Sequence, residues 1–251
     1  MELTGKRALV MGGASGIGRA SSLALANAGA DVALTYWTSG KEAEEVVAQI
    51  QAMGRRAHAI KADLTESASA AQVFAEAETA IGPIDIVFAN AGGLIQRCRV
   101  VDMPLELWNA GINLNLTSTF LICQEALKRM EPRKSGVLIT MSSLAAFDGG
   151  GPGSSHYAAG KAAVATFTRA LAKEVGPLGI RVNGIAPGLI ATRFHDTFNT
   201  PANRLAIAER TPARREGQPD DVANVVVFLA SERSAFLAGE VIQVNGGLGL
   251  Y

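Results

Sequence analysis

Scarcity sets the outer limits of this chain. Its 251 residues include only two cysteines, Cys98 and Cys123, and three histidines. The two cysteines lack metal-ligand spacing and are too few for a disulfide framework, so they read as thiols of a reducing compartment. No metal site is expected. No apolar run approaches the roughly 18 residues of a membrane span, and the start, MELTGKRALV, has no long apolar signal-like region. Neither sign of charge dominates, with 23 basic and 23 acidic residues. That balance argues against nucleic acid or an anionic membrane as the main partner, since both select a basic excess. Internal repeats, linkers and low-complexity tails are also lacking. The expectation is a soluble, cytoplasmic protein. Its hydrophobic fraction of 48% is enough for a sizeable core, read as a single domain over 1–251.

Strand-like and helix-like stretches alternate along the chain. Apolar runs at 7–12, 31–36, 56–62, 84–89, 136–141, 179–185 and 240–244 predict seven strands. Helical patterns follow the glycines near residue 18 and run over 42–53, 68–81, 104–130, 157–175 and 220–231. This alternation predicts an α/β fold, a doubly wound parallel sheet with helices on both faces. Residues 193–218 lack clean periodicity and hold Phe194, His195 and Phe198. A long irregular insertion after a strand predicts a substrate lid. His195 reads as a packing or exposed side chain rather than a catalytic one.

The first strand runs into Gly12-Gly13-Ala14-Ser15-Gly16-Ile17-Gly18 and then a helix. Strand, glycine turn and helix bring a pyrophosphate to a helix N-terminus, where backbone N–H groups and the helix dipole favour its charge. About 20 residues on, an acid would bond the adenosine ribose and repel a 2′-phosphate. The chain has Tyr36, Trp37, Thr38, Ser39, Gly40 and Lys41 there instead. Hydroxyls plus Lys41 favour NADP(H) and leave NAD(H) open, although no arginine is present to clamp the phosphate. Asp63, followed by Leu64, ends the third strand; it fits an adenine contact or the N-cap of the next helix equally well. Asn90-Ala91-Gly92-Gly93 ends the fourth strand, and small residues there leave room for a ribose or nicotinamide. Asn113 and Asn115 interrupt an apolar helix, so at least one is expected to have a buried polar partner.

The densest chemistry lies in 143–161, SLAAFDGGGPGSSHYAAGK. On a helix, Tyr157 and Lys161 lie one turn apart on one face. A nearby ammonium favours phenolate and lowers a tyrosine pKa from about 10. Such a phenol can give a proton to a carbonyl oxygen or take one from an alcohol.

Taken together, GGASGIG at 12–18, Asp63-Leu64, Asn90-Ala91-Gly92, LNL around Asn115, Ser143 with Tyr157-x-x-x-Lys161, Pro187-Gly188 and Asn245-Gly246-Gly247 resemble the short-chain dehydrogenase/reductase family over the whole chain. The resemblance implies a Rossmann-type fold and an oxidoreductase acting on a small-molecule carbonyl or alcohol. It places Gly12, Ser15, Ile17 and Gly18 on the pyrophosphate and adenosine. Tyr36, Trp37, Thr38, Asp63 and Leu64 belong to the adenosine end, and Asn90, Ala91 and Gly92 line the ribose side. Pro187, Gly188, Ile190 and Thr192 face the nicotinamide. Tyr157 is the implied acid/base and Ser143 holds the carbonyl oxygen. Lys161 bonds the nicotinamide ribose and tunes the tyrosine, and Asn115 positions a water in a proton relay. Met11 stands where the family usually has threonine, which puts the rigidity of the glycine turn in question. The resemblance also implies a homodimer or homotetramer.

Within the family the chain looks nearest to the 3-oxoacyl-carrier-protein reductases and related NADPH carbonyl reductases. Lys128, Arg129 and Lys173 are candidates for docking an acidic carrier protein, or ordinary solvated helix charges. The alternatives are an NAD-dependent sugar or polyol dehydrogenase, and a non-catalytic dinucleotide-binding protein on the same fold.

Overall fold

Seven parallel strands form one sheet in a computed structural model describing residues 1–251: β1 (Arg7–Val10), β2 (Asp31–Tyr36), β3 (Ala57–Lys61), β4 (Ile86–Ala89), β5 (Gly136–Met141), β6 (Ile180–Pro187) and β7 (Val241–Val244). Their spatial order is β3-β2-β1-β4-β5-β6-β7. Leu9 on β1 is in register with Ala33 on β2 and Val87 on β4. The central strands are near-continuous apolar runs because helices cover both faces of the sheet.

On one face, helices α1 (Gly16–Asn27) and α2 (Gly40–Ala52) contribute Leu25, Val46 and Ile50 to a core with Val10 and Ile139. On the other, α3 (Ser69–Ile81) packs Val73 and Phe74 beside Leu9 and Val87. The chain then runs through α4 (Leu105–Ile112) and α5 (Ser118–Met130), which adds Ile122 and Ala126 to that second core. A short α6 (Ala145–Asp148) precedes α7 (Ser155–Val175), whose Leu171 and Val175 join the second core. After β6 come α8 (Arg193–Phe198), α9 (Pro201–Arg210) and α10 (Pro219–Ala230), the last returning Val222, Val226 and Leu229 to the first core.

One expectation is refined and one corrected. The helical stretch within 104–130 runs on as expected but is widened by a π-helical segment over Asn113–Thr117, which joins α4 to α5 with helical backbone at both ends. Residues 193–218 are not irregular, since they hold α8 and α9. Six and ten residues are too few for a clear 3.6-residue pattern, yet α9 has a readable start. Thr200 accepts the Asn203 N–H at 3.2 Å, and Pro201 takes the first helical position.

The strand order reverses between β1 and β4, and their C-terminal ends open a crevice there, where open α/β sheets bind ligands. No helix is long and apolar enough to cross a membrane.

Candidate active site

At the mouth of the crevice, the turn after β1 depends on glycine. Gly12 and Gly16 have φ of 67° and 51°, a region that L side chains rarely enter. At Gly18 a Cβ would lie 2.1 Å from the Gly12 carbonyl oxygen, so a side chain would displace the loop. With Met11 offering no hydroxyl, the turn is braced from neighbouring strands. Thr35, on the neighbouring β2, accepts the Gly12 N–H on its hydroxyl at 2.9 Å and so holds the turn from the side. Asn90 reinforces it: its amide donates to the Met11 carbonyl at 2.9 Å, so this side chain braces the loop from the end of β4. Ser15, exposed, is the N-cap residue of α1, and Ile17, half-buried, lies on its first turn.

The adenosine end is less enclosed. Tyr36 ends β2, Trp37 is 57% exposed, and Thr38 is exposed beside it. A cavity of about 250 Å³ lies beneath, lined by Trp37, Lys61, Asp63 and Gln72 among others. Asp63 does not cap the next helix, which starts at Ser69; one carboxylate oxygen instead accepts the Thr65 N–H and hydroxyl, at 2.9 and 2.6 Å. Those bonds hold its pKa below the usual carboxylate value and leave its other oxygen free. Leu64 packs against the core. Lys41 is exposed and forms no ion pair.

Asn115, Lys161, Tyr157 and Ser143 come together beyond the end of β5. Asn115 is fully buried within the π segment, a local widening of the helix that recurs at functional sites. Its amide donates to the Gly93 and Gly111 carbonyls, both at 2.9 Å, and its oxygen accepts the Gly93 N–H at 3.0 Å. Asn113 also has a partner, the Thr65 carbonyl at 3.1 Å. Both asparagines that break the apolar pattern are therefore satisfied. Lys161 is 2% exposed, and its ammonium donates to the Met141 carbonyl at 2.9 Å. Burial pushes its pKa down to about 8. One acceptor leaves two of its three N–H groups available.

The tyrosine departs from expectation. Burial raises the Tyr157 pKa, because the phenolate would lie in a poorly solvated place, and the adjacent Ser143 hydroxyl only opposes that rise. The Lys161 ammonium sits 5.8 Å from the centre of the Tyr157 ring and is held by Met141. Of the two serines ending β5, Ser142 is buried and donates to the Lys161 carbonyl at 2.9 Å. Ser143 is half-buried beside the phenol.

The third side of the crevice follows β6. Gly188 donates to the Val244 carbonyl at 3.0 Å. Leu144 donates to the Pro187 carbonyl at 2.9 Å, which joins this turn to the segment bearing Ser143. Ile190 is buried in the first core. Thr192 donates to the Ile190 carbonyl at 3.2 Å, and its methyl group would lie 3.2 Å from a Cβ on Gly16. The crevice is thus spanned from the β6 turn to the glycine loop.

One contributor escaped the sequence reading, and another was placed there only as part of the lid segment. Thr35 looked like one hydroxyl inside an apolar strand, and only the loop opposite it shows its use. Phe194 of α8 places its ring 5.7 Å from that of Tyr157 and 5.1 Å from that of Phe198, an aromatic wall beside the phenol. His195, behind this wall, bonds Asn199 at 2.8 Å and is kept neutral by burial, consistent with a packing role. Lys128 and Arg129, candidates for carrier docking, are paired with Glu125, and Arg129 also with Glu78 at 3.0 Å.

Fold and site define a class: a doubly wound α/β protein with a glycine turn between β1 and α1 and a Ser-Tyr-Lys-Asn cluster beyond the end of β5. Residues 12–249 match the family described as enoyl-(acyl carrier protein) reductase. The chain is 37% identical over 250 residues to a 3-oxoacyl-[acyl-carrier-protein] reductase of Synechocystis, covering 99% of each chain. It is 35% identical to an L-rhamnose 1-dehydrogenase (NAD(P)(+)) of Sphingomonas, covering 98% of this chain and 97% of the other. Among solved structures, a 7α-hydroxysteroid dehydrogenase complexed with NADH and 7-oxo glycochenodeoxycholic acid superposes with a TM-score of 0.93 at 34% identity, over 98% of this chain and 95% of the other. The chain belongs to the short-chain dehydrogenase/reductase family and is an oxidoreductase.

Proposed function

We propose that the protein transfers a hydride between NADP(H) and a carbonyl or alcohol substrate, with Tyr157 as the acid/base. The observation that carries this reading is the convergence of Asn115 and Lys161 on Gly92, with Tyr157 and Ser143 alongside. The residues fit a dinucleotide: α1 opens after the glycine turn with no side-chain cap, so its first N–H groups are open to a pyrophosphate, and Lys161 has two unused N–H groups for ribose hydroxyls. A bound nicotinamide supplies the hydride to the carbonyl carbon. Ser143 holds the carbonyl oxygen and Tyr157 gives it the phenolic proton as the C–O charge develops. Reduction needs a protonated phenol, and a raised pKa keeps Tyr157 protonated at neutral pH. Lys161 lies close to the phenol and, once it holds the ribose, stabilises the phenolate left behind. Asn115 braces the Gly93 backbone and so fixes the floor of the site.

Helices α8 and α9 act as the substrate lid, since Phe194 and Phe198 face the Tyr157 side of the crevice. The cofactor is NADP(H), because no acid follows β2 directly and Lys41 is unpaired there. The protein works as a homodimer or homotetramer, for which exposed Leu105, Trp108 and Phe120 on α4 and α5 offer an apolar face. A 3-oxoacyl-[acyl-carrier-protein] substrate, as in the name of the Synechocystis relative, suits an apolar aromatic wall. A sugar substrate is the second reading, favoured by the rhamnose dehydrogenase at comparable identity. Oxidation of NADPH and NADH with a short β-ketoacyl thioester tests the first. Rapid NADPH-linked turnover is expected; turnover only in the direction of sugar oxidation with NAD⁺ would favour the second.

A further inference from the structure

The sequence offers no arginine after β2, yet the fold brings one there from far along the chain. Arg193 opens α8, directly after Thr192, and its guanidinium donates to Glu42 Oε1 at 2.9 Å across 151 residues of separation. Glu42 lies in the first turn of α2, whose N-terminal residues Gly40 and Lys41 follow Tyr36, Trp37 and Thr38. Thr192 meets the glycine loop at Gly16 in the same region. Arg193 thus spans the outside of the crevice from the nicotinamide side to the adenosine side.

From this geometry we infer that Arg193 reads the 2′-phosphate of NADP(H), exchanging Glu42 for the phosphate. This rests on the NADP(H) reading above and names the residue that would enforce it. The pair is readily exchanged, for Arg193 is 73% exposed and Glu42 35%, and ion pairs that face solvent hold weakly. A guanidinium matches a phosphate dianion in charge and in its forked N–H geometry. Lys41, exposed and unpaired one residue before Glu42, adds a second positive charge. Glu42 opposes the phosphate when left bare, so its carboxylate sets a threshold that NAD(H), lacking the phosphate, never meets.

Calorimetric titration of the full chain tests the assignment with two fragments, adenosine 2′,5′-bisphosphate and 5′-AMP. These report binding alone and differ only in the 2′-phosphate. Arg193→Gln is expected to weaken the bisphosphate about tenfold, the usual scale for a lost charge-assisted bond, and to leave AMP within twofold. Arg193→Lys should recover part of the loss, and Glu42→Gln should tighten the bisphosphate. Equal loss for both fragments, no loss for either, or weaker bisphosphate binding in Glu42→Gln would overturn the assignment. Wild-type protein that binds NADH well but gains nothing from the 2′-phosphate would overturn Arg193 as reader while leaving the oxidoreductase intact. Protein that binds neither NADPH nor NADH would overturn the functional reading itself.

Discussion

Asn115 and Lys161 meet at Gly92. A Cβ built on Gly92 would lie 2.7 Å from Asn115 Oδ1 and 2.8 Å from Lys161 Nζ. The two side chains come from different elements, the π segment and α7, and the missing side chain of a loop residue lets both into the same space.

Gly92→Ala follows directly. Overpacking of this kind costs about 1–3 kcal/mol, and here the atoms forced to move belong to the proposed catalytic set. Turnover is expected to fall by more than tenfold, with the melting temperature lowered by several degrees. Steady-state kinetics and thermal melts check both. Unchanged kcat would show that the Asn115–Lys161 approach does not matter for chemistry.

Lys161 predicts a pH dependence of stability. Its folded pKa of about 8 lies below the unfolded value of 10.5, so the unfolded chain binds more protons between those two pH values. Stability should rise with pH across that window, and the cost of burying the ammonium is present in full below it. Two to three pKa units correspond to about 3 kcal/mol. Lys161→Met should therefore be more stable than wild type at pH 7, with the gap closing toward pH 10. Tyr157 has a raised pKa and shifts the balance the other way only above pH 10. Denaturant melts at pH 7, 8.5 and 9.5 measure the slope.

Thr35→Val keeps the shape of a buried side chain but removes the acceptor for the Gly12 N–H. An unsatisfied N–H costs up to about 1–3 kcal/mol when fully buried and less at half-buried Gly12, and the glycine turn loses its lateral anchor. Weaker NADPH binding is expected together with a lower melting temperature. A lower melting temperature with unchanged cofactor affinity would confine Thr35 to stability.

The fold was legible because buried parallel strands must be apolar runs: DVALTY and GVLITM can be little else between helical patterns. The site was legible where chemistry is carried by local spacing, as with Tyr157 and Lys161 on one helix face. What stayed hidden depends on contacts between distant segments. Thr35 supports Gly12 only through the β1–β2 pairing, and Arg193 reaches Glu42 only once α8 folds back across the crevice. The widening at Asn113–Thr117 has no local signature beyond two asparagines in an apolar helix. The tyrosine pKa was misjudged because i,i+4 spacing fixes direction but says nothing of burial, and burial governs both Tyr157 and Lys161.

The central claim is that Tyr157 is the acid/base, and one variant tests it most directly. Tyr157→Phe keeps the ring against Phe194 and removes only the hydroxyl. Carbonyl reduction should fall by about 10²–10⁴-fold, the range of general acid catalysis, while the NADPH dissociation constant from fluorescence titration stays within twofold. Turnover persisting in Tyr157→Phe with cofactor bound as tightly as before would contradict the assignment.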